Sequence, residues 1–185
     1  IDNIWLFTKY DKYGRVAYTG AYENVNSRTD VQEEANGTLS TDFVPLYETR
    51  TSEQSPTTLS TDTSIQLYYT DNAYPNSGNR TLYTVSYYDN YDINLDNNFS
   101  YQDSYGQSLS NNNASLPTVT KVRVLETDHW ITTATYYDDK GRAIYTVSSN
   151  PFLETKPTGV VAANLKGEGG EFLLKYDEVK ITPWL

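Results

Sequence analysis

An Asp and an Arg four positions apart, with a Gly just before the Arg, occur twice in this chain, as Asp11…Gly14-Arg15 and Asp138…Gly141-Arg142. The carboxylate of such an Asp can accept hydrogen bonds from turn amides. The Gly supplies the turn geometry, and the Arg can pair with a carboxylate or lie over a Tyr ring. That chemistry holds a chain together and transforms no substrate. A second oxygen-rich set is Asp92, Asn94, Asp96, Asn98, Ser100 and Asp103, spaced like the ligands of an EF-hand calcium loop. Asn97 stands where that loop has Gly, and Asp103 where it closes with Glu. The alternative is a solvated loop whose Asn and Asp side chains bond to backbone amides. Calcium is the one cofactor the sequence raises. His129 is the only histidine. No G-x-S-x-G elbow accompanies it, and Ser148 and Ser149 are arbitrary partners, so it reads as a turn residue. Carboxylate pairs for glycoside hydrolysis can be imagined anywhere in so acidic a chain, and no residue is assigned catalysis.

The elements that must position the duplicated residues are strands. The two motifs extend to Thr8-Lys9-Tyr10-Asp11-Lys12-Tyr13-Gly14-Arg15-Val16-Ala17-Tyr18-Thr19 and Thr135-Tyr136-Tyr137-Asp138-Asp139-Lys140-Gly141-Arg142-Ala143-Ile144-Tyr145-Thr146. Each reads as strand, tight turn and returning strand, a unit built to stack on copies of itself. The composition agrees: 18 Tyr against 5 Phe and 3 Trp suits half-buried sheet with wet or bonded phenols.

Between the copies, Ser27-Arg28-Thr29-Asp30 can cap a short helix over 31–35 that ends at Asn36-Gly37. Residues 43–50 read as a strand, 51–63 as a loop, and 65–88 as a hairpin turning at Pro75 to Asn79. The Asn- and Asp-rich 89–115 is the longest loop or insertion. Strands are expected over 118–126, 130–137, 142–148, 160–165, 171–176 and 179–184. The fold class is therefore all-β, successive antiparallel hairpins with at most one short helix.

The 185 residues suffice for one domain with a core, and Ile1, in a chain without Met, reads as an internal or processed start. A net charge of -10 argues against nucleic-acid partners and anionic lipid, and no apolar run is long enough to insert in a membrane as a helix. Cysteine is absent, which excludes disulfides and thiolate sites. The sequons at Asn36, Asn79, Asn98 and Asn113 read as accidents of composition.

The Tyr-Asp-x-x-Gly-Arg core, carried by Tyr10, Asp11, Gly14 and Arg15 and again by Tyr137, Asp138, Gly141 and Arg142, resembles the YD repeats of the Rhs family. The Bacteroidota-type Rhs-like secreted proteins are similar over most of 1–155, and teneurins and Tc-toxin cocoon subunits resemble the same family. Tyr87-Tyr88-Asp89 and Lys175-Tyr176-Asp177 repeat only the first half of the pattern. The resemblance implies a curved ribbon or shell of β-hairpins that encloses a toxic cargo or serves adhesion. Flanking repeats or neighbouring chains would be its partners, and its place would be secreted or on a bacterial cell surface. The Asp-Pro-x-Gly signature of the family's autoprotease core does not occur. On this reading 1–155 is a repeat segment with a large insertion at about 23–120, and 156–185 is a C-terminal hairpin region or the next repeat. The competing reading is a carbohydrate-binding or adhesion β-domain that uses exposed Tyr and Trp, with or without calcium. Its partner would be a glycan.

Overall fold

The computed structural model describes residues 3–37, 45–52, 57–59, 62–93, 95, 99–101, 106, 108–151 and 160–164. They divide into two units. The first is Ile1–Ser86 with Val122–Asp128, and the second is Tyr87–Lys121 with His129–Leu185. The fold is all-β, and the described residues contain one helix longer than a single turn.

In the first unit β1 (Ile4–Tyr10) and β2 (Val16–Glu23) form the first hairpin, and β2 pairs on its other side with β5 (Arg80–Asp89). Period-2 alternation drives β1: Phe7 and Lys9 are buried, whereas Ile4, Leu6, Thr8 and Tyr10 face solvent. Phe7 meets Tyr18 edge-on at 6.4 Å between ring centres. Gly20 sits at a bulge where β5 approaches closely, and a Cβ there would lie 2.7 Å from the Phe7 ring.

The expected helix is α1 (Arg28–Ala35). Ser27 and Asp30 form a capping box, satisfying two amides at the helix start. Glu34 anchors its other end by accepting from Tyr74 Oη at 2.7 Å, Asn24 Nδ2 at 3.1 Å and Asn26 Nδ2 at 2.7 Å.

Three expectations fail in this unit, the loop over 51–63 among them, since residues 57–59 and 62–63 are strand. Residues 65–88 do not form a hairpin: β4 (Asp62–Leu67) pairs with β3 (Thr57–Leu59) in a separate two-stranded sheet, and β5 joins β2 instead. Local hairpin logic favoured the nearest apolar run, but the 57–59 stretch, read as loop, lies nearer in the chain. The expected strand over 43–50 is also absent from 45–50, which make only bridges at Glu48 and Arg50. Residues 43 and 44 lie outside the described set.

In the second unit β6 (Asn113–Arg123, which ends in the first unit), β7 (Trp130–Tyr137), β8 (Ala143–Ser149) and β9 (Val160–Asn164) follow in order. β6 starts earlier than the sequence suggested, and β9 matches the strand expected at 160–165. The strands expected at 171–176 and 179–184 lie outside the described residues. The core gathers Tyr87, Val119, Ala134, Ile144, Tyr145 and Val147.

Candidate functional site

The duplicated residues form the same device twice. Asp11 Oδ1 accepts the amides of Tyr13 at 2.8 Å and Arg15 at 3.0 Å. Its Oδ2 accepts Arg15 Nε and Nη2, each at 2.7 Å. Asp138 Oδ1 accepts the amides of Lys140 at 2.9 Å and Arg142 at 2.8 Å, and Oδ2 accepts Arg142 Nε and Nη2 at 2.6 Å. The backbone repeats as well. Asp11 N donates to Arg15 O and Gly14 N to Asp11 O, as Asp138 N does to Arg142 O and Gly141 N to Asp138 O. Gly14 and Gly141 adopt φ of 78° and 73°, the left-handed region in which a side chain is strained. Each turn is followed by a one-residue bulge, so Tyr10 faces Val16 and Tyr137 faces Ala143.

Each clamp is a ring closed by a charge-assisted pair in which two guanidinium N–H groups converge on one carboxylate oxygen. Burial would raise the Asp138 carboxyl, but Arg142 and the turn amides hold it below its ordinary range. Both carboxylates are turned onto their own hairpin, so these Asp and Arg residues hold the turn and present no reactive group.

The first Tyr of each motif has a second duty. Tyr10 O accepts Glu48 N at 2.8 Å, and Tyr137 O accepts Ser110 N at 2.9 Å. In each hairpin the same carbonyl receives a segment from elsewhere in its unit. The side chains differ, since Tyr10 is 45% exposed and Tyr137 is 8% exposed. The Tyr137 hydroxyl donates to Pro117 O at 2.7 Å.

The larger surprise lies inward of the first turn, in a buried ionic cluster. Lys9 is 2% exposed and Glu48 is 0% exposed. Lys9 Nζ donates to Glu48 Oε1 at 3.0 Å and to Asp71 Oδ1 at 2.7 Å, which also accepts Arg80 Nη1 at 2.7 Å. Glu48 further accepts Thr70 Oγ1 at 2.6 Å and the amides of Asn72 and Ala73. Tyr18 Oη lies within bonding reach of Glu48, Asp71 and the Thr70 carbonyl. Burial first, and the two carboxylates after it, push the Tyr18 phenol far up, which keeps its proton in place. Burial would raise Asp71 too, but Lys9 and Arg80 together hold it low.

Charges balance in this cluster, with Lys9 and Arg80 against Glu48 and Asp71. Burying ions is unfavourable unless they are paired and hydrogen-bonded; each ion here has an opposite partner, although Arg80 Nε is buried without a hydrogen bond. Lys9 and Glu48 are closed off from solvent, whereas the Asp71 side chain keeps 11% exposure. The cluster ties residues 48 and 70–73 to the first hairpin. Sequence reasoning missed it, because Glu48 and Asp71 are remote from Lys9 along the chain. One signal was available: strand alternation puts Lys9 on the same face as Phe7, where a cation needs a buried acid.

The second hairpin has Tyr136 at the position of Lys9, and its surroundings are aromatic. Tyr136 stacks on Tyr91 at 4.7 Å and meets Tyr101 and Tyr145 at 5.6 and 5.8 Å. Its hydroxyl donates to Phe99 O, and Tyr137 N donates to the Tyr91 hydroxyl at 3.0 Å. Burial pushes the Tyr91 phenol up to about 12.

Of the proposed calcium ligands, Asn94, Asp96, Asn98 and Asp103 lie outside the described residues. Asp92 is exposed, and its amide donates to Asn90 Oδ1 at 3.3 Å. Among the described residues no three His, Asp or Glu side chains gather as a metal site. His129 is exposed, and Ser148 Oγ bonds Thr133 Oγ1 at 2.9 Å across the β7–β8 pair. Comparison with protein-family models, curated proteins and solved structures found no match.

Proposed function

We propose that this chain is a structural segment of a large secreted or surface-exposed protein of Rhs/YD-repeat type, contributing to an encapsulating or adhesive β-shell. The observation that carries the reading is the recurrence of one clamped hairpin in two units whose cores differ. A turn that closes on itself can be set into different surroundings, as a repeat scaffold requires. The edge strand supports the same reading. Among the described residues β1 stands at the end of the strand order, with Ile4 55% and Leu6 78% exposed, and Glu48 meets that edge only at its end, through Tyr10 O. An apolar edge strand is a liability in an isolated domain and an asset where a neighbouring strand adds to it. The segment does no catalysis, and its partners are flanking repeats or neighbouring chains.

Imaging the natural secreted polypeptide by electron microscopy tests this. A continuous wall in which another strand pairs with β1 is the expected result. An isolated domain with β1 open to solvent would end the proposal.

A further inference from the structure

On the first unit, a groove of about 490 Å³ runs between β5 and the turn that follows β6. That volume lies within the roughly 300–1,000 Å³ of small-ligand sites. One wall is Thr81 and Tyr83, half-buried residues that alternate with the buried Arg80 and Leu82. The other wall is the turn after β6, from Leu125 to Asp128, held by hydrogen bonds. Thr127 donates to Val124 O through its amide at 3.2 Å and its hydroxyl at 2.7 Å. Arg123 Nε donates to Thr127 O at 2.8 Å, and Nη1 holds the buried Asp62 at 2.6 Å. Leu82 N donates to the same Asp62 oxygen at 2.9 Å, fixing the turn's anchor to β5.

Two features of this turn bear on the groove. Glu126 holds φ of 63°, a conformation that favours glycine, with its side chain exposed. Position i+2 of the turn that Thr127 N closes on Val124 O requires that angle, so the turn's own bond sets the loop in place. Arg123 Nη2 reaches out to Asp128, whose side chain is 84% exposed, so a fixed cation and a solvated carboxylate stand together at the rim.

We propose that this groove binds a neutral sugar residue of a glycan. A pyranose offers an apolar C–H face for Tyr83 and a ring of hydroxyls that both donate and accept. Glu126 and Asp128 accept from those hydroxyls, Arg123 and the Thr81 hydroxyl donate to them, and the pre-set turn reduces the ordering lost on binding. The two carboxylates exclude anionic ligands, and the polar turn disfavours a purely apolar one. This inference is independent of the shell proposal: a shell segment could lack a glycan site, and an isolated domain could carry one.

Titration of the isotope-labelled chain with cellobiose, maltose, lactose and N,N′-diacetylchitobiose, followed by amide NMR, tests it. Probes raised to about 10 mM would approach saturation of a millimolar site. Saturable shifts at Thr81, Tyr83 and residues 124–128 are expected with at least one of them. Tyr83→Ala should weaken that binding tenfold or more. Glu126→Gly should do the same while leaving the fold intact, because glycine accepts the backbone angle. Silence at these amides with all four probes would overturn the proposal. Undiminished binding by both variants, or response only to a glucuronate disaccharide or a lysine-rich peptide, would overturn it as well.

Discussion

The hairpin at Asp11 and the hairpin at Asp138 share a turn bond for bond, yet one rests on ions and the other on rings. The pivot is a single position. Lys9 and Tyr136 each sit two residues before the clamp Asp and face Tyr18 and Tyr145 across the strand pair. Lys9 draws in Glu48, Asp71 and Arg80, whereas Tyr136 draws in Tyr91 and Tyr101. The clamp makes the turn independent of what lies beneath it, so the core was free to diverge. The Arg residues diverge more mildly. Arg15 lies 5.0 Å from the Tyr13 ring centre and is 19% exposed, whereas Arg142 has Lys140 in place of that ring and is 54% exposed.

The largest expected effect falls on the ionic side alone. Glu48→Ala leaves Lys9 buried beside one acid and strips acceptors from the Asn72 and Ala73 amides, so urea denaturation should show a loss of about 3–5 kcal/mol. Exchanging the pivots should be nearly as damaging. Tyr136→Lys puts a cation among rings, and Lys9→Tyr leaves two acids facing Arg80, each costing about 3 kcal/mol or more by the same assay. Tolerance of either exchange would show that the cores do not depend on the pivot.

Removing the clamp should treat the hairpins alike. Asp11→Ala and Asp138→Ala are each expected to lose about 2–3 kcal/mol, the range for hydrogen bonds to a charged group. Because Asp138 and Asp71 titrate below their ordinary values when folded, the stability they contribute is complete above about pH 4 and drains away as pH falls toward their lowered values. Acid denaturation followed by tyrosine fluorescence should begin in that window, with a shallower limb in Asp138→Asn. Gly14→Ala and Gly141→Ala should each cost about 1 kcal/mol in thermal melts through backbone strain. The smallest effect separates the copies. Arg15→Lys should cost about 1 kcal/mol, because it also disturbs the Tyr13 contact, and Arg142→Lys less than about 0.5 kcal/mol.

What could be read from the sequence was local. The turns at Gly14 and Gly141, the cap at Ser27 and the strands around them depend on residues within a few positions of one another. The ionic cluster, the aromatic cluster and the pairing of β4 with β3 depend on residues brought together by the fold, and no spacing rule reaches from Lys9 to Glu48 or from Tyr91 to Tyr136. The repeat marked the residues that hold the turns. It was silent about Lys9, whose meaning lay in one of the places where the two copies disagree.

The short reach of the clamp also bears on the order of events during synthesis. A β-hairpin closes in about 1–10 μs, while a ribosome adds about 5–20 residues per second. The Asp11 turn can therefore shut as soon as Arg15 and the strand behind it emerge, before Glu48 has left the ribosome. Until then Lys9 waits in solvent as an ordinary cation, and the nascent chain carries a finished turn whose underside is still unassembled.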